Sequence, residues 1–314
     1  MRNPRMNVFT TDTFLEAAAQ VFFPGRSHAI EVFRIDGRLM KLLVVDGRVI
    51  ERMPFYDFPQ PLDAWAGPLK EHWYFPRTVQ RTTLVFECMF ELPGIQPSPY
   101  IDWTRFTDEK AFRAHVDTSA HLKHNDSARQ RRRAERDLGP LKFVWDDDRP
   151  EVFDACVKWK SAQYVSTGVG DMFAAPQNVE LFRKLKALGV VKVASLSAKD
   201  TLLAVHFGSH TDRRFTWWIP AYDAAASKYS PGRLLLENLM QQSQAQGDLE
   251  FDFLIGDESY KFMFATHNRV IGPIGAPPVS LLLSTLAKKQ TKALLERYPK
   301  AMELARDVKR RLGR

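Results

Sequence analysis

The segment between residues 215 and 261 constrains the fold most, because it predicts a strand, a helix start and a second strand in close succession. The first strand ends in a loop of small residues, and a helix begins at Pro231, with Ser230 placed to cap its amino end. Gly232 leaves the backbone of the first turn unshielded, so the free N–H groups there favour an anion, especially a phosphate. Two basic side chains can add positive charge from the side, Lys228 and Arg233. The alternative is a well-capped helix that follows an ordinary turn.

The second strand of this segment is apolar, and the chain around it is rich in ionisable residues before and after a turn at Gly256. A carboxylate held there between apolar walls can have its pKa raised enough to act as a base near neutral pH. Tyr260, beside Lys261, can serve as a proton donor. The alternative is structural, with Asp257 capping the next helix and pairing with Lys261 across one turn. The residues alone leave both interpretations open.

The order of elements is similar in the two halves of the chain and predicts an α+β fold. Asp36-Gly37 and Asp46-Gly47 stand between β-rich runs, which is a strong hairpin signal. In each half a helix, antiparallel strands, a helix and a strand follow one another, and this order indicates a duplicated unit. We expect two domains and a basic amphipathic helical tail, over residues 1–118, 119–275 and 276–314.

The composition excludes several classes of protein. With 45% apolar and 12% aromatic residues, the chain of 314 residues can bury sizeable cores, which excludes intrinsic disorder, collagen and a coiled-coil rod. Two cysteines, Cys88 and Cys156, exclude a disulfide scaffold and a multi-cysteine zinc module. No cluster has the spacing of metal ligands, so we expect no metal. We expect a cytoplasmic protein, because the first residues lack a signal peptide's apolar region and prolines break the longest uncharged stretch.

The net charge of +8 arises in two segments. Residues 121–136 hold six basic against two acidic side chains, and residues 288–314 hold ten against three. The first segment predicts a basic helix over residues 127–137, which can be a solvated face, contact a polyphosphate or bind a nucleotide. Neither nucleic acid nor a nucleotide is favoured as the partner of this helix, because no aromatic residues interleave the arginines. The tail can lie on an anionic membrane surface or dock on the body of the protein.

Two elements carry a resemblance to a known family. They are the loop Tyr229-Ser230-Pro231-Gly232 with Leu234-Leu235, and Phe251-Asp252-Phe253-Leu254 followed by Gly256-Asp257-Glu258-Ser259-Tyr260-Lys261. Together they resemble the GNAT-fold acetyltransferases of the BioF2-like or CelD type, relatives of the FemAB aminoacyltransferases. The resemblance extends upstream to the basic helix and covers about residues 120–270. It departs from the family after Lys261, where Phe262-Met263-Phe264 stand in place of a basic residue and a Trp.

The resemblance implies tandem GNAT-like (FemAB-like) domains, each a mixed, mostly antiparallel sheet flanked by helices. It implies an acyltransferase that uses acetyl-CoA, or another acyl-CoA, as co-substrate. In such enzymes the donor pyrophosphate lies at a helix N-terminus after the central strand. The donor thioester would lie near Trp217–Pro220, where a backbone N–H can hold the developing oxyanion. The positions expected to contact the donor are Trp218, Lys228, Tyr229, Ser230, Pro231, Gly232 and Arg233.

The acceptor implied by the resemblance is an amine on an amino sugar or on a lipid-linked envelope or exopolysaccharide precursor. This amine must lose a proton before it attacks the acyl carbonyl. Asp257 is the first candidate for the base, with Asp252 or Glu258 second, and Tyr260 is the candidate acid for the leaving thiolate. Two further side chains are candidates for contact with the acceptor, Lys261 and Trp217.

Two other functions remain open from the sequence. A FemAB-like aminoacyltransferase would use charged tRNA, bound by the basic helix and the tail, and tRNA-dependent activity would identify it. A non-catalytic GNAT-like protein would sense a nucleotide or act as a scaffold in a membrane polysaccharide synthesis complex. Replacing Asp257 and Tyr260 without loss of the phenotype would indicate that role. The leading interpretation places the enzyme in the cytoplasm, at the inner face of the membrane if the tail binds there.

Overall fold

The computed structural model describes residues 7–50, 62, 66–71, 74–84, 96–119 and 125–275, with the single positions 279, 283, 287 and 290. Within these residues the chain has the predicted α+β fold, with helices packed on mostly antiparallel sheets. The helices are α1 Asp12–Phe22, α2 Glu109–Ser119, α3 Asn125–Leu138, α4 Pro150–Thr167, α5 Pro176–Ala187, α6 Pro231–Ala245 and α7 Ser259–Phe264. The strands are β1 His28–Ile35, β2 Arg38–Val45, β3 Arg48–Val49, β4 Lys70–Glu71, β5 Tyr74–Leu84, β6 Gln96–Asp102, β7 Leu141–Val144, β8 Val191–Ala198, β9 Thr201–Thr211, β10 Arg214–Tyr222, β11 Glu250–Asp252 and β12 His267–Gly275.

A small sheet in the order β3-β2-β1-β4 contains the two predicted hairpin turns. The strands on either side of Asp36-Gly37 and Asp46-Gly47 pair in an antiparallel register. Both residues of each turn have positive φ, at 48° and 72° in the first and 47° and 75° in the second. Such turns match the natural twist of the paired strands, and aspartate and glycine adopt positive φ at low energetic cost. The hairpin prediction is therefore confirmed.

The large sheet has eight strands in the order β5-β12-β6-β11-β10-β9-β8-β7. Its strands pair antiparallel with the exception of β10 and β11, which are parallel and are joined by the crossover helix α6. Strand β6 comes from the amino-terminal part of the chain and lies between β11 and β12. The sheet thus contains strands from both sides of residue 118, and the domain division there stays a prediction.

The large sheet separates two apolar layers. One face packs against α1, α4 and α5, through side chains such as Phe14, Phe153 and Phe182. The opposite face packs against α2, α6 and α7, through side chains such as Leu235 and Phe264. Strands buried on both faces are nearly continuous apolar runs, as β9 and β10 are in the sequence. Helices α4 and α6 therefore lie on opposite sides of the sheet.

A β-bulge in β10 decides which side chains face each layer. The register between β9 and β10 shifts between Trp217 and Ile219. Phe215 and Trp217 belong to the layer of α6, whereas Ile219 and Ala221 belong to the layer of α4. A regular strand would place all four on one face, because side chains alternate with a period of two residues. The bulge therefore resets the alternation in the middle of β10.

The expected tail falls almost wholly outside the described residues. Positions 279, 283, 287 and 290 are helical and exposed, with Val279 70% and Leu283 62% exposed. The other tail residues, including every basic side chain of residues 288–314, lie outside the described part of the chain, as does Cys88. The helical tail is supported at these four positions alone.

Candidate functional site

A cleft of about 980 Å³ opens where β10 and β11 part. The two strands pair from Arg214 opposite Glu250 to Thr216 opposite Asp252. Strand β10 then continues to Tyr222, whereas β11 ends, and the gap between them becomes the cleft. Residues from β10, α4, α6 and the segment after β11 line it, among them Trp217, Trp218, Tyr222, Lys160, Gly232, Arg233, Asp257, Glu258, Tyr260 and Lys261.

Both tryptophans of β10 reach this cleft although they pack into different layers. Trp217 stacks on the His206 ring, with centroids 4.1 Å apart and 9° between the planes. Trp218 lies against Phe9 and Phe182, with ring centroids at 5.0 Å and 4.7 Å. The parting of the strands therefore exposes one edge of each apolar layer to the same cavity. The expectation that both tryptophans contact ligand stays a prediction, and their positions support it.

The backbone N–H of Trp218, inside the bulge, already has a partner. It donates to His206 Nε2 at 2.9 Å. His206 is fully buried, and burial holds its pKa well below the usual range. The ring is therefore neutral, with its proton on Nδ1 because Nε2 accepts. The oxyanion contact expected within Trp217–Pro220 would need this hydrogen bond to open, or another donor in the cleft.

Helix α6 begins at the cleft with an unusual cap. Ser230 is the N-cap, as the sequence predicts, but its φ of 52° is left-handed and its side chain makes no capping hydrogen bond. Its carbonyl instead accepts from the amides of Arg233 and Leu234, at 3.1 Å and 3.2 Å. The amide of Gly232 lies one residue before Arg233, in the first turn, where backbone N–H groups have no partner within the helix. Gly232 lines the cleft, so the positive end of α6 faces the cavity.

The first turn of α6 also has the space that an anion requires. A Cβ added at Gly232 would lie 3.4 Å from Tyr222 Cδ1 and meet nothing closer. The Arg233 guanidinium lines the same cleft and pairs with Glu237 at 3.3 Å, one turn further along α6. These residues fit the pyrophosphate of an acyl-CoA, because unshielded amides, the helix dipole and a guanidinium all favour negative charge.

The remaining expected donor contacts lie behind the helix start. Lys228, Tyr229, Ser230 and Pro231 do not line the cleft. Tyr229 is 4% exposed, and its ring lies 4.9 Å from the Lys228 ammonium. The segment Ala224–Tyr229 forms a 3-10 helix that packs against α3. Their contact with the donor stays a prediction, and the structure places them one layer further out.

Helix α3, the basic helix, packs beside the start of α6. Arg133 donates to the Lys228 carbonyl at 3.5 Å, and Arg131 donates to Asn238 Oδ1 at 3.4 Å. Arg129 and Arg132 are exposed. The helix is thus partly exposed to solvent, and two of its arginines contact residues on either side of the start of α6.

Tyr260 and Trp217 form a polar contact inside the cleft. The Trp217 indole N–H donates to the Tyr260 hydroxyl oxygen at 3.0 Å. Burial raises the pKa of Tyr260 to about 12, against this hydrogen bond, which lowers it. The hydroxyl therefore keeps its own proton at neutral pH, and that proton is available to an acceptor atom in the cleft. This geometry suits the acid role expected for Tyr260.

The carboxylates after Gly256 differ in their surroundings. Asp257 and Glu258 both line the cleft and are exposed. Glu258 pairs with the Lys261 ammonium at 3.0 Å, and Lys261 also donates to the Ile255 carbonyl at 2.8 Å. The structural alternative for Asp257 is wrong, because Glu258 is the N-cap of α7 and the partner of Lys261. Asp257, in contrast, lines the cleft and forms no ion pair with a described residue.

Gly256 allows this arrangement. Its φ of 142° is a conformation that residues with a side chain rarely adopt, and an added Cβ would lie 2.6 Å from Lys261 Nζ. Leu254, two residues earlier, has a φ of 58° and is buried in the cleft wall. A leucine there stores backbone strain, which is typical of functional sites. The turn is therefore a strained segment that brings Asp257 and Tyr260 to the cavity.

Asp252, a candidate base from the sequence, lies outside the cleft in a buried ion cluster. Its Oδ2 atom lies 3.1 Å from Arg269 Nη1 and 3.8 Å from Arg214 Nη1. Glu250 pairs with the same two guanidiniums. Asp252 Oδ1 accepts from the Leu254 amide at 2.8 Å. Asp252 is therefore not placed to act as a base in the cleft, and its contact with the strained turn is the hydrogen bond to the Leu254 amide.

Lys160, on α4, lines the cleft and was not singled out from the sequence as a site residue. Burial lowers the pKa of its ammonium. The helical spacing could have shown its position, since Phe153 and Cys156 are buried on the same face, seven and four residues earlier. Cys156 itself is fully buried, and burial raises its thiol pKa, so it is unsuited to act as a nucleophile.

Among the described residues, no group of three or more His, Cys, Asp or Glu side chains could hold a metal ion. In the same residues, the structure contains no helix with the length and apolar character needed to span a bilayer.

Residues 123–262 match the family described as "Acetyltransferase (GNAT) domain". No curated protein matches the chain. The structure of FemX is similar at a TM-score of 0.55 with 8% identity, over 90% of this chain and 95% of that one. The C-terminal domain of a putative lysylphosphatidylglycerol synthetase from Agrobacterium fabrum has a TM-score of 0.45 and 13% identity, over 90% and 95%. A GNAT family acetyltransferase from Brucella melitensis in complex with acetyl-CoA has a TM-score of 0.33 and 13% identity, over 44% and 90%.

The similarity to FemX concerns the fold, and the family match lies over the cleft. The matched residues include α4, the bulged strand β10, the start of α6 and the strained turn. Residues 123–262 are therefore similar to a GNAT acetyltransferase domain, which supports an acyltransferase, and the α+β fold of the chain is similar to that of FemX.

Proposed function

We propose that the protein is an acyl-CoA-dependent N-acyltransferase of the BioF2-like or CelD type, with acetyl-CoA as donor. One observation carries this proposal: the amino end of α6 and the protonated hydroxyl of Tyr260 face one cleft at the parting of β10 and β11. The first is suited to the anionic part of the donor, and the second to a leaving group that needs a proton.

When bound, the donor supplies an acyl carbonyl activated as a thioester. Gly232 and Arg233 hold its pyrophosphate, and Trp217 and Trp218 exclude water from the cleft wall. Asp257 accepts a proton at its carboxylate from the acceptor ammonium, which frees the nitrogen lone pair for attack. Tyr260 keeps its hydroxyl proton ready for the departing group, and the Trp217 indole N–H fixes the direction of that hydroxyl.

The experiment that tests this proposal is calorimetric titration with acetyl-CoA. Gly232→Glu places a negative side chain at the amino end of α6, so we expect binding to be lost. Gly232→Ala is the control, because its Cβ fits 3.4 Å from Tyr222 Cδ1, and we expect binding within a few fold of wild type. Unchanged binding by Gly232→Glu, or no binding of acetyl-CoA and longer acyl-CoAs by wild type, would overturn the proposal.

We propose that the acceptor is an amino sugar or a lipid-linked envelope or exopolysaccharide precursor. The enzyme would bind it at the inner face of the cytoplasmic membrane. Support comes from the tail, where Val279 and Leu283 are four residues apart, helical and largely exposed. Cosedimentation with vesicles that contain anionic lipid tests this location, and Leu283→Glu should reduce it. Equal sedimentation of both proteins would count against membrane contact through this helix.

A second candidate function is aminoacyl transfer from charged tRNA. It is favoured by α3, which presents exposed Arg129 and Arg132 next to the start of α6. A donor larger than acyl-CoA could extend from the cleft onto this helix. Activity that requires aminoacyl-tRNA and is abolished by ribonuclease would identify this function. Activity with acetyl-CoA in ribonuclease-treated protein would exclude it as the main one.

A further inference from the structure

A half-buried lysine on the wall of the cleft, Lys160, faces no carboxylate at ion-pair distance among the described residues. Lys160 Nζ donates to Gln163 Oε1 at 3.1 Å and lies 5.0 Å from the centre of the Tyr164 ring. The amide oxygen and the ring face orient the ammonium without neutralising it. An ammonium has three donors, so at least one N–H of Lys160 remains for a ligand.

The other charges near Lys160 balance one another. Glu258 and Lys261 both influence the pKa of Lys160, but they pair with each other at 3.0 Å. The thiol of Cys156 and the ring of His206 are also near, and both are neutral at physiological pH because they are fully buried. A half-buried ammonium without a counter-ion attracts an anionic group of a ligand, because water screens such a pair only in part.

The position of Lys160 separates it from the donor site. Helix α4 packs in the apolar layer of α1 and α5, whereas α6 packs in the layer on the opposite face of the sheet. The cleft runs between the two layers, so Lys160 and Gly232 line it from opposite sides. The anion that pairs with Lys160 is therefore distinct from the pyrophosphate that the start of α6 is suited to hold.

We propose that Lys160 binds a carboxylate or phosphate group of the acceptor, so that the acceptor is an amine that also carries an anionic group. This inference rests on the proposed N-acyltransferase function. Gln163 and Tyr164 act as positioning residues, because they hold the ammonium toward the cavity. The anion at Lys160 orients the acceptor so that its amine can approach Asp257 from the other side of the cleft.

The test is calorimetry with three primary amines of similar length, in protein saturated with CoA. Ethanolamine is neutral at its far end, O-phosphoethanolamine carries a phosphate and β-alanine carries a carboxylate. We expect at least one charged probe to bind wild type about tenfold or more tighter than ethanolamine, which is typical of a charge-assisted hydrogen bond. The tighter of the two charged probes identifies the anion. Lys160→Met should abolish the preference, and Lys160→Arg should keep part of it.

The control is Lys158→Met, which removes an exposed lysine from the same helix and should leave the preference unchanged. Acetyl-CoA binding by Lys160→Met should equal that of wild type, which shows that the variant is folded. If acetyl-CoA binds but the three probes bind alike or not at all, the inference about Lys160 is overturned while the donor site stands. If acetyl-CoA does not bind wild type, the probes are titrated without CoA; a preference for a charged probe then leaves the anion site standing while the acyl-CoA proposal fails.

Discussion

Replacing Arg269 by Met should strongly destabilise the protein, because Arg269 neutralises two buried carboxylates. Its guanidinium is 2% exposed and pairs with Glu250 and with Asp252, whose side chains are 5% and 2% exposed. Methionine fills much of the same volume but leaves Arg214 alone to balance two negative charges. Breaking a buried ion pair from one side costs about 3–5 kcal/mol. We expect the free energy of unfolding to fall by that amount.

The assay is urea unfolding followed by circular dichroism, at about pH 8 and about pH 5. Burial raises the pKa of Asp252, and Arg269 and Arg214 oppose that rise. Without Arg269 the pKa of Asp252 should rise further. A carboxyl whose pKa is raised in the folded state stabilises the fold at low pH and loses that contribution as pH rises. The free energy of unfolding that the variant loses relative to wild type should therefore be larger at about pH 8 than at about pH 5.

Two further proteins separate charge from packing. The double variant Glu250→Leu/Arg269→Met leaves Asp252 paired with Arg214, so it should recover most of the lost stability. Arg183→Met breaks the exposed pair with Asp154, whose side chains are 51% and 59% exposed, and should change stability by about 1 kcal/mol or less. A loss below about 1 kcal/mol in Arg269→Met, or a deficit that does not change with pH, would refute the reasoning.

Three other predictions concern the cleft and its supports. Tyr260→Phe should lower kcat with acetyl-CoA by about 10²–10⁴ fold, whereas Tyr222→Phe at the cleft rim should have little effect. Equal rates for Tyr260→Phe and wild type would exclude the acid role. Gly256→Ala should lower the free energy of unfolding by about 1–3 kcal/mol, because the φ of residue 256 is 142°. Gly170→Ala should be close to neutral, because a Cβ added at residue 170 has nothing within 4 Å. Cys156 should resist alkylation in the folded protein and react after unfolding, since burial raises its thiol pKa; peptide mapping that found rapid modification in the native state would contradict this.

Much of the candidate site could be predicted from the sequence because its signals are local. Proline and glycine after a strand place the start of α6 within a few residues, and Gly256 marks the turn that carries Asp257 and Tyr260. Each of these features depends on backbone conformations that a particular residue type permits at that position. The hairpins at Asp36-Gly37 and Asp46-Gly47 were predictable for the same reason.

The roles of individual charged side chains could not be predicted in this way. Asp252 and Asp257 are five residues apart and both looked suited to act as a base, yet one is sealed in an ion cluster and the other stands in the cleft. The difference depends on Arg214 and Arg269, which reach Asp252 through the pairing of β10 with β11 and the position of β12. Long-range pairing decides which charges are neutralised by the protein.

The sequence by itself determined the α+β class, the helix start at the donor side and the turn that carries the candidate acid and base, because short-range backbone preferences specify them. Only the tertiary structure decided that β10 and β11 part after Thr216 and that the bulge turns Trp217 and Trp218 toward opposite layers. It also decided that Lys160 lines the cleft from the side of the sheet opposite to α6. These features arise where strands and helices from distant parts of the chain pack together, and no spacing along the chain records that packing.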